Sequence, residues 1–214
     1  MTLLHRDPAL LFDQLDEVCP PEPSARRRDW PKLALLVGGI AFAVGNLLHP
    51  LEHSDEAYGA ATWQAAHLTI FFSIPLLVLG LPVLPRKLAG RVTRPLATIP
   101  ITASVIGLIG IAPGTILEAF VAPEVGHQAM TALESGGMAV VNGLMGTAYL
   151  GGTIALGWAV RRAEVGPRWV GPSLMASAAV LLGVMGATGP AAGVVIITAT
   201  TVYGLALSVL AARA

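Results

Sequence analysis

The sequence predicts an all-α integral membrane protein, a six-helix transmembrane bundle with both termini cytoplasmic. Three observations predict it. Of 214 residues, 54 % are hydrophobic and only 12 % charged, about half the ~25 % charged share of a soluble domain. Apolar runs of membrane-crossing length recur along the chain, and the mean hydropathy is +0.70. The 13 Lys and Arg residues precede the first run, occupy alternate connections, or follow the last. Cytoplasmic loops carry that bias, because positive segments resist translocation.

Residues 1–30 read as a cytoplasmic segment and residues 31–212 as the transmembrane domain. Leu11, Leu15 and Val18 fall on one helical face with Phe12 beside them, which predicts a short amphipathic helix. Pro20, Pro21 and Pro23 make the stiff linker after it. The first thirty residues are too polar for a cleavable signal peptide, so the first span serves as the anchor. The spans are expected at Pro31–His49, His67–Leu84, Leu96–Leu117, Gly137–Val160, Pro172–Thr188 and Ala191–Ala212. Each has the roughly 17–25 residues that cross a hydrocarbon core. Each must be helical, since lipid offers the backbone no hydrogen-bond partner. Pro75, Pro82, Pro100 and Pro113 should bend their spans, and the stripes Gly110/Gly114 and Gly143/Thr147/Gly151 should let helices approach closely.

The basic connections hold Arg86, Lys87, Arg91, Arg94, Arg161, Arg162 and Arg168; the opposite ones hold Glu52, Asp55, Glu56, Glu118, Glu124 and Glu134. Formal net charge is zero and no basic cluster is interleaved with aromatics, which excludes a nucleic-acid partner. The partners expected are the lipid bilayer and a lipophilic small molecule, with a homo-oligomer compatible. Cys19 stands alone, so neither an intrachain disulfide nor a thiolate metal site can form. Arg outnumbers Lys 11 to 2 and Ala and Gly are abundant, which suggests a GC-rich bacterial genome, and the spans then place the chain in a bacterial inner membrane.

Four of the 5 histidines, His49, His53, His67 and His127, fall at the acidic face with no basic residue beside them. Trp63, His67 and Ile70 share a helical face, and His127, Thr131, Glu134 and Met138 form a stripe. Asn46, His49 and His53 share a face only if the first helix continues through Pro50; otherwise His53 sits in a loop. Asp55 is expected to cap a short outer-loop helix.

Imidazole with carboxylate suits a transition metal (Zn, Fe or Cu), and the missing thiolates argue against an iron–sulfur cluster. The expected ligands are His53, His67 and His127, with Glu118 as fourth ligand or general base and His49 in reserve. The expected catalytic groups are Glu118, His67 and Glu134. Trp63, Tyr58, Phe71, Phe120, Asn46 and Asn142 are the expected substrate lining, and spans five and six are expected to be structural. The function expected is a small membrane enzyme acting on a lipid-soluble molecule on the extracytoplasmic side of spans one to four. One alternative is a metal-free acid–base cyclase or isomerase of an isoprenoid-like molecule, since a Glu beside a His in an apolar pocket can hold a proton near neutrality. Another is a haem b protein for electron transfer or sensing, with His67 and His127 as axial ligands. His49-Pro50-Leu51-Glu52-His53 fits the inverted zinc-protease pattern, but proline disturbs the helical turn that motif needs. No charged residue lies at mid-span to suggest a transporter, and no polar row suggests a channel.

Overall fold

The computed structural model describes residues 29–184 and 186–213. The amphipathic segment at 8–18, the proline linker, Cys19 and His5 lie outside the described residues. Among the described residues there are helices and no strand. They are α1 Trp30–Leu48, α2 Asp55–Tyr58, α3 Ala61–Gly80, α4 Leu84–Leu88, α5 Arg94–Phe120, α6 Ala122–Ser135, α7 Gly137–Ala163, α8 Val170–Gly183 and α9 Pro190–Arg213, with a 3₁₀ turn at Leu81–Val83.

Five helical stretches are long and apolar enough to cross a membrane: α1, α3 continued through α4, α5, α7 and α9. Large apolar side chains stand exposed around them, among them Leu79, Ile99, Val140 and Leu205. A soluble surface would not tolerate so much, and the chain reads as a multi-pass membrane protein. The fifth apolar run is helical only over the 14 residues of α8. Gly186 and Gly189 beyond it take left-handed backbone, with φ of 81° and 90°, and Pro190 opens α9. Those residues end the helix before Thr188, short of its expected limit.

Glycines set which helices touch. A Cβ on Gly38 or Gly45 would collide with Leu76 or Ile70 of α3, and one on Gly39 with Gly204 and Ser208 of α9. Gly107 and Gly152 seat α5 against α7, and Gly157 meets the Gly171 carbonyl of α8. α8 in turn contacts α9, so the helices close a ring in the order α1, α3, α5, α7, α8, α9. Among the described residues nothing lies within 4 Å of a Cβ at Gly143, Gly151 or Gly114, whereas Gly110 of the other expected stripe packs closely on Met145 of α7. Pro75, Pro100 and Pro113 lie inside helices, and Pro82 sits in the 3₁₀ turn.

The connections sort to two ends. Arg91 donates to the Ala163 carbonyl at 3.1 Å, and Gly171 lies against Arg161. At the other end Asp55 meets the His127 amide, and the Leu51 carbonyl lies over Gly193. The basic connections therefore share one end of the ring, and the acidic connections with their histidines share the other.

A candidate active site in the acidic end of the bundle

α1 stops at Leu48, two residues before Pro50, and leaves His49 and His53 on the connection that follows. Prolines bias the preceding residue away from the helical region, so the helix does not run on to His53. The connection then doubles back. Ser54 accepts from the Ala57 amide at 3.1 Å and is the N-cap of α2, a role the sequence suggested for Asp55. Asp55 reaches across instead. Its Oδ1 accepts from the His127 amide at 2.7 Å, just after Gly126 breaks α6 with φ 80°. The interrupted helix leaves that amide without an internal partner, and the carboxylate supplies one.

Trp63 is the hub of the site. It is fully buried, and its Nε1 donates to the Glu118 carbonyl oxygen at 2.6 Å, tying α3 to the end of α5. Ring centroids of His67, Tyr58, His49 and His53 lie 4.3, 4.6, 5.1 and 5.2 Å from it. His49 lies 4.8 Å from His67 and 5.3 Å from His53, between the two. His127 stands farther out, beside Tyr58, with 3.4 Å from the phenol oxygen to Nδ1.

Two of these imidazoles have their tautomer set by the backbone. His67 Nδ1 lies 2.9 Å from the Trp63 carbonyl and His49 Nδ1 lies 2.6 Å from that of Pro50. A carbonyl only accepts, so both Nδ1 atoms donate and Nε2 carries the free lone pair in the neutral ring. Glu118 is 8 % exposed, and its Oε2 has no hydrogen-bond partner. Its Oε1 lies 4.0 Å from His53 Nε2, and Glu134 of α6 reaches towards the same carboxyl.

Enclosure keeps the outer histidines neutral. Desolvation, then the neighbouring His49 and His127, push His53 down to about 4. Burial also lowers His49, and the Pro50 carbonyl only partly offsets it. Tyr58 is pushed up to about 12 by burial and by Glu118, Glu134 and Asp55, so its phenol stays protonated beside His127 at physiological pH.

These groups head a cavity of about 890 Å³. His49, His53, His67, Glu118, His127 and Glu134 lie at its polar end, with Asn46 and Asn142 in the wall. Phe42, Ile70, Met145, Tyr149, Ile196 and Ile197 make it greasy lower down. Trp63 and Tyr58 stand behind the histidines rather than in the wall, and Phe71 and Phe120 do not line it. Tyr149, Thr200 and the first turns of α9 were not singled out in the sequence, yet they line the cavity. The signal was there: Gly189, Gly193, Ile196 and Thr200, all in the wall, recur at helical spacing. Among the described residues no three His, Cys, Asp or Glu side chains are arranged to hold a metal ion. The His49 ring is tilted by 46° to His53 and meets His67 edge on at 62°.

No family model, curated protein or solved structure matches this chain.

Proposed function

We propose that this chain is a small integral-membrane enzyme that acts on a lipid-soluble molecule in the cavity, by proton transfer at Glu118. One observation carries the reading: a nearly buried carboxyl at the head of an apolar cavity, with Oε2 unpartnered and a histidine beside Oε1. An orphaned buried oxygen is costly and is kept where a substrate supplies its partner. Glu118 would give or take the proton, His53 would exchange it with the aqueous mouth, and Glu134 would hold the pair's charge in check. The lone pairs of His49 and His67 would orient a polar substrate group. Proton shuffling on an isoprenoid-like hydrocarbon or its ketone or alcohol derivative needs no more than this.

In the same reading α8 counts as a sixth pass, both termini are cytoplasmic, and the site faces the outside of a bacterial plasma membrane, as the charge bias requires. Glu118→Gln keeps the shape and removes the titratable proton. Turnover of the natural substrate should fall by about 10²-fold or more, the usual contribution of a positioned acid or base. An isolated lipid-extract fraction consumed equally fast by both proteins would sink the assignment.

A second reading is favoured by the fixed Nδ1–H groups of His49 and His67. Metal-ligating histidines commonly donate that hydrogen to a carbonyl and present Nε2 to the metal. Here His49, His53 and His67, with Glu118, would hold a transition metal (Zn, Fe or Cu), which would polarise a substrate oxygen. Elemental analysis of purified protein decides between the readings: about one metal per chain supports the second. A Soret band would assign haem instead.

A further inference from the structure

α8 is too short for its place in the ring. At 1.5 Å per residue its 14 residues reach about 21 Å, against a hydrocarbon core of about 30 Å. Its neighbours α7 and α9 have 27 and 24 residues. The shortfall lies at the cavity end, because α8 begins beside Arg161 at the basic end.

The face of α7 that rests on α8 shows what the missing turns would have covered. Gly157 meets the Gly171 carbonyl there. Gly146 lies eleven residues earlier on the same face, three helical turns away. Among the described residues nothing lies within 4 Å of a Cβ there, nor at Gly143 one turn farther on. Below them the gap is shut, since Tyr149 and Tyr203 meet edge to face at 5.3 Å across α7 and α9. Asn142 and Met145 on one side, and Ala192 and Ile196 with the connection Gly186–Gly189 on the other, are cavity wall beside the gap. Val140, Leu144, Val194 and Val195 flank it, exposed and apolar, so the surroundings are lipid-facing. Asn142 is itself exposed. A primary amide among such residues is costly unless something polar uses it.

We infer that the substrate enters the cavity sideways from the bilayer, through a window between α7 and α9 above the end of α8, with Asn142 as the polar group on its sill. The inference rests on the cavity being the site of a lipid-soluble molecule and adds its class and route. The molecule is a slender membrane-dissolved amphiphile. Its small polar end slides past Asn142 to Glu118 while its apolar body stays among Met145, Ile196 and Ile70. The wet end of the cavity, at His53 and Glu134, then serves protons and not the substrate.

The test uses the full chain in lipid nanodiscs containing a diazirine-bearing palmitic acid, with photo-adducts mapped by mass spectrometry. Adducts should appear on Ile196 and Ile70 inside the cavity. The pair Gly146→Trp with Ala192→Trp, which fills the window, should reduce them several-fold; Leu205→Trp, on an outward lipid-facing position, should not. Cavity labelling that ignores the blocking pair, or that is absent throughout, overturns the route. Diethyl pyrocarbonate modification of His53 reports whether the blocked variant has kept its fold. If it has not, Gly146→Cys in a Cys19→Ser background carries the test: a bimane there should be quenched by doxyl lipid. Quenching by aqueous iodide alone, or disulfide-linked pairs of chains showing a second copy over the window, would refute it. The labelling reads the route and the turnover of Glu118→Gln reads the chemistry, so the two failures are told apart.

Discussion

His53 shows how far one side chain's chemistry is set by its neighbours. Its side chain keeps 48 % of its surface, yet desolvation, with the neighbouring His49 and His127, holds its acidity near 4 instead of 6.5. The folded value lies below the unfolded one, so the unfolded chain takes up the proton first. The stability that neutral His53 contributes is complete above about pH 6.5 and is lost progressively as pH falls towards 4. Isotope-edited NMR of the histidines should find a ring that titrates near 4. His49→Ala should move it upward, because the change admits water and removes a repelling imidazole. A His53 titrating at 6.5 in the parent protein would mean the cluster is open to solvent. The histidines and carboxylates were legible as a group at one end, since topology alone collects them there. Sequence reasoning ranked His127 above His49, because ring packing around Trp63 depends on how the His49–His53 connection doubles back after Pro50. No periodicity reports such a turn.

Helix contacts follow from where backbones can touch, and here the glycines divide into two kinds. Gly157 faces the Gly171 carbonyl of α8, whereas Gly151, on the same helix, has no neighbour within 4 Å of a Cβ among the described residues. Both sit in apolar sequence at comparable spacing, so the stripe Gly143/Thr147/Gly151 looked as good a packing seam as any. Spacing shows that small residues share a face; it does not show which face meets a partner. Gly157→Leu must push α7 and α8 apart. It should cost at least the ~1–3 kcal/mol of an overpacked core and lower both thermal stability and folded yield in detergent. Gly151→Leu should leave both near the parent values, and equal damage from the two changes would count against the ring order. Helix limits were legible for α5, α7 and α9, whose expected spans are within three residues of those observed. α8 was not, because Gly186 and Gly189 end it through backbone conformation rather than through a change in hydropathy.

The whole molecule is a ring of helices whose two ends differ in chemistry. Arg86, Arg91, Arg94, Arg161 and Arg168 cluster at one end; Glu52, Asp55, Glu56, Glu118 and Glu134 cluster with four histidines at the other. If the bilayer sets the orientation by that bias, the cavity's wet mouth faces outward and exchanges protons with the exterior. Exposed positions at the two ends test this directly. In a Cys19→Ser background, Glu56→Cys in the outer connection should react with a membrane-impermeant maleimide in intact cells. Thr93→Cys, before α5 at the basic end, should react only after permeabilisation. The pair also tests the number of passes between them, because α3 must carry the chain from one side to the other. Reaction of Thr93→Cys alone in intact cells would invert the bundle, put Glu118 in contact with cytoplasmic protons, and make the positive-end arginines an exception to the rule that cytoplasmic loops carry the charge. Reaction of both would mean that α3 does not cross. The greasy wall of the cavity would then have no bilayer beside it to supply a lipid-soluble molecule.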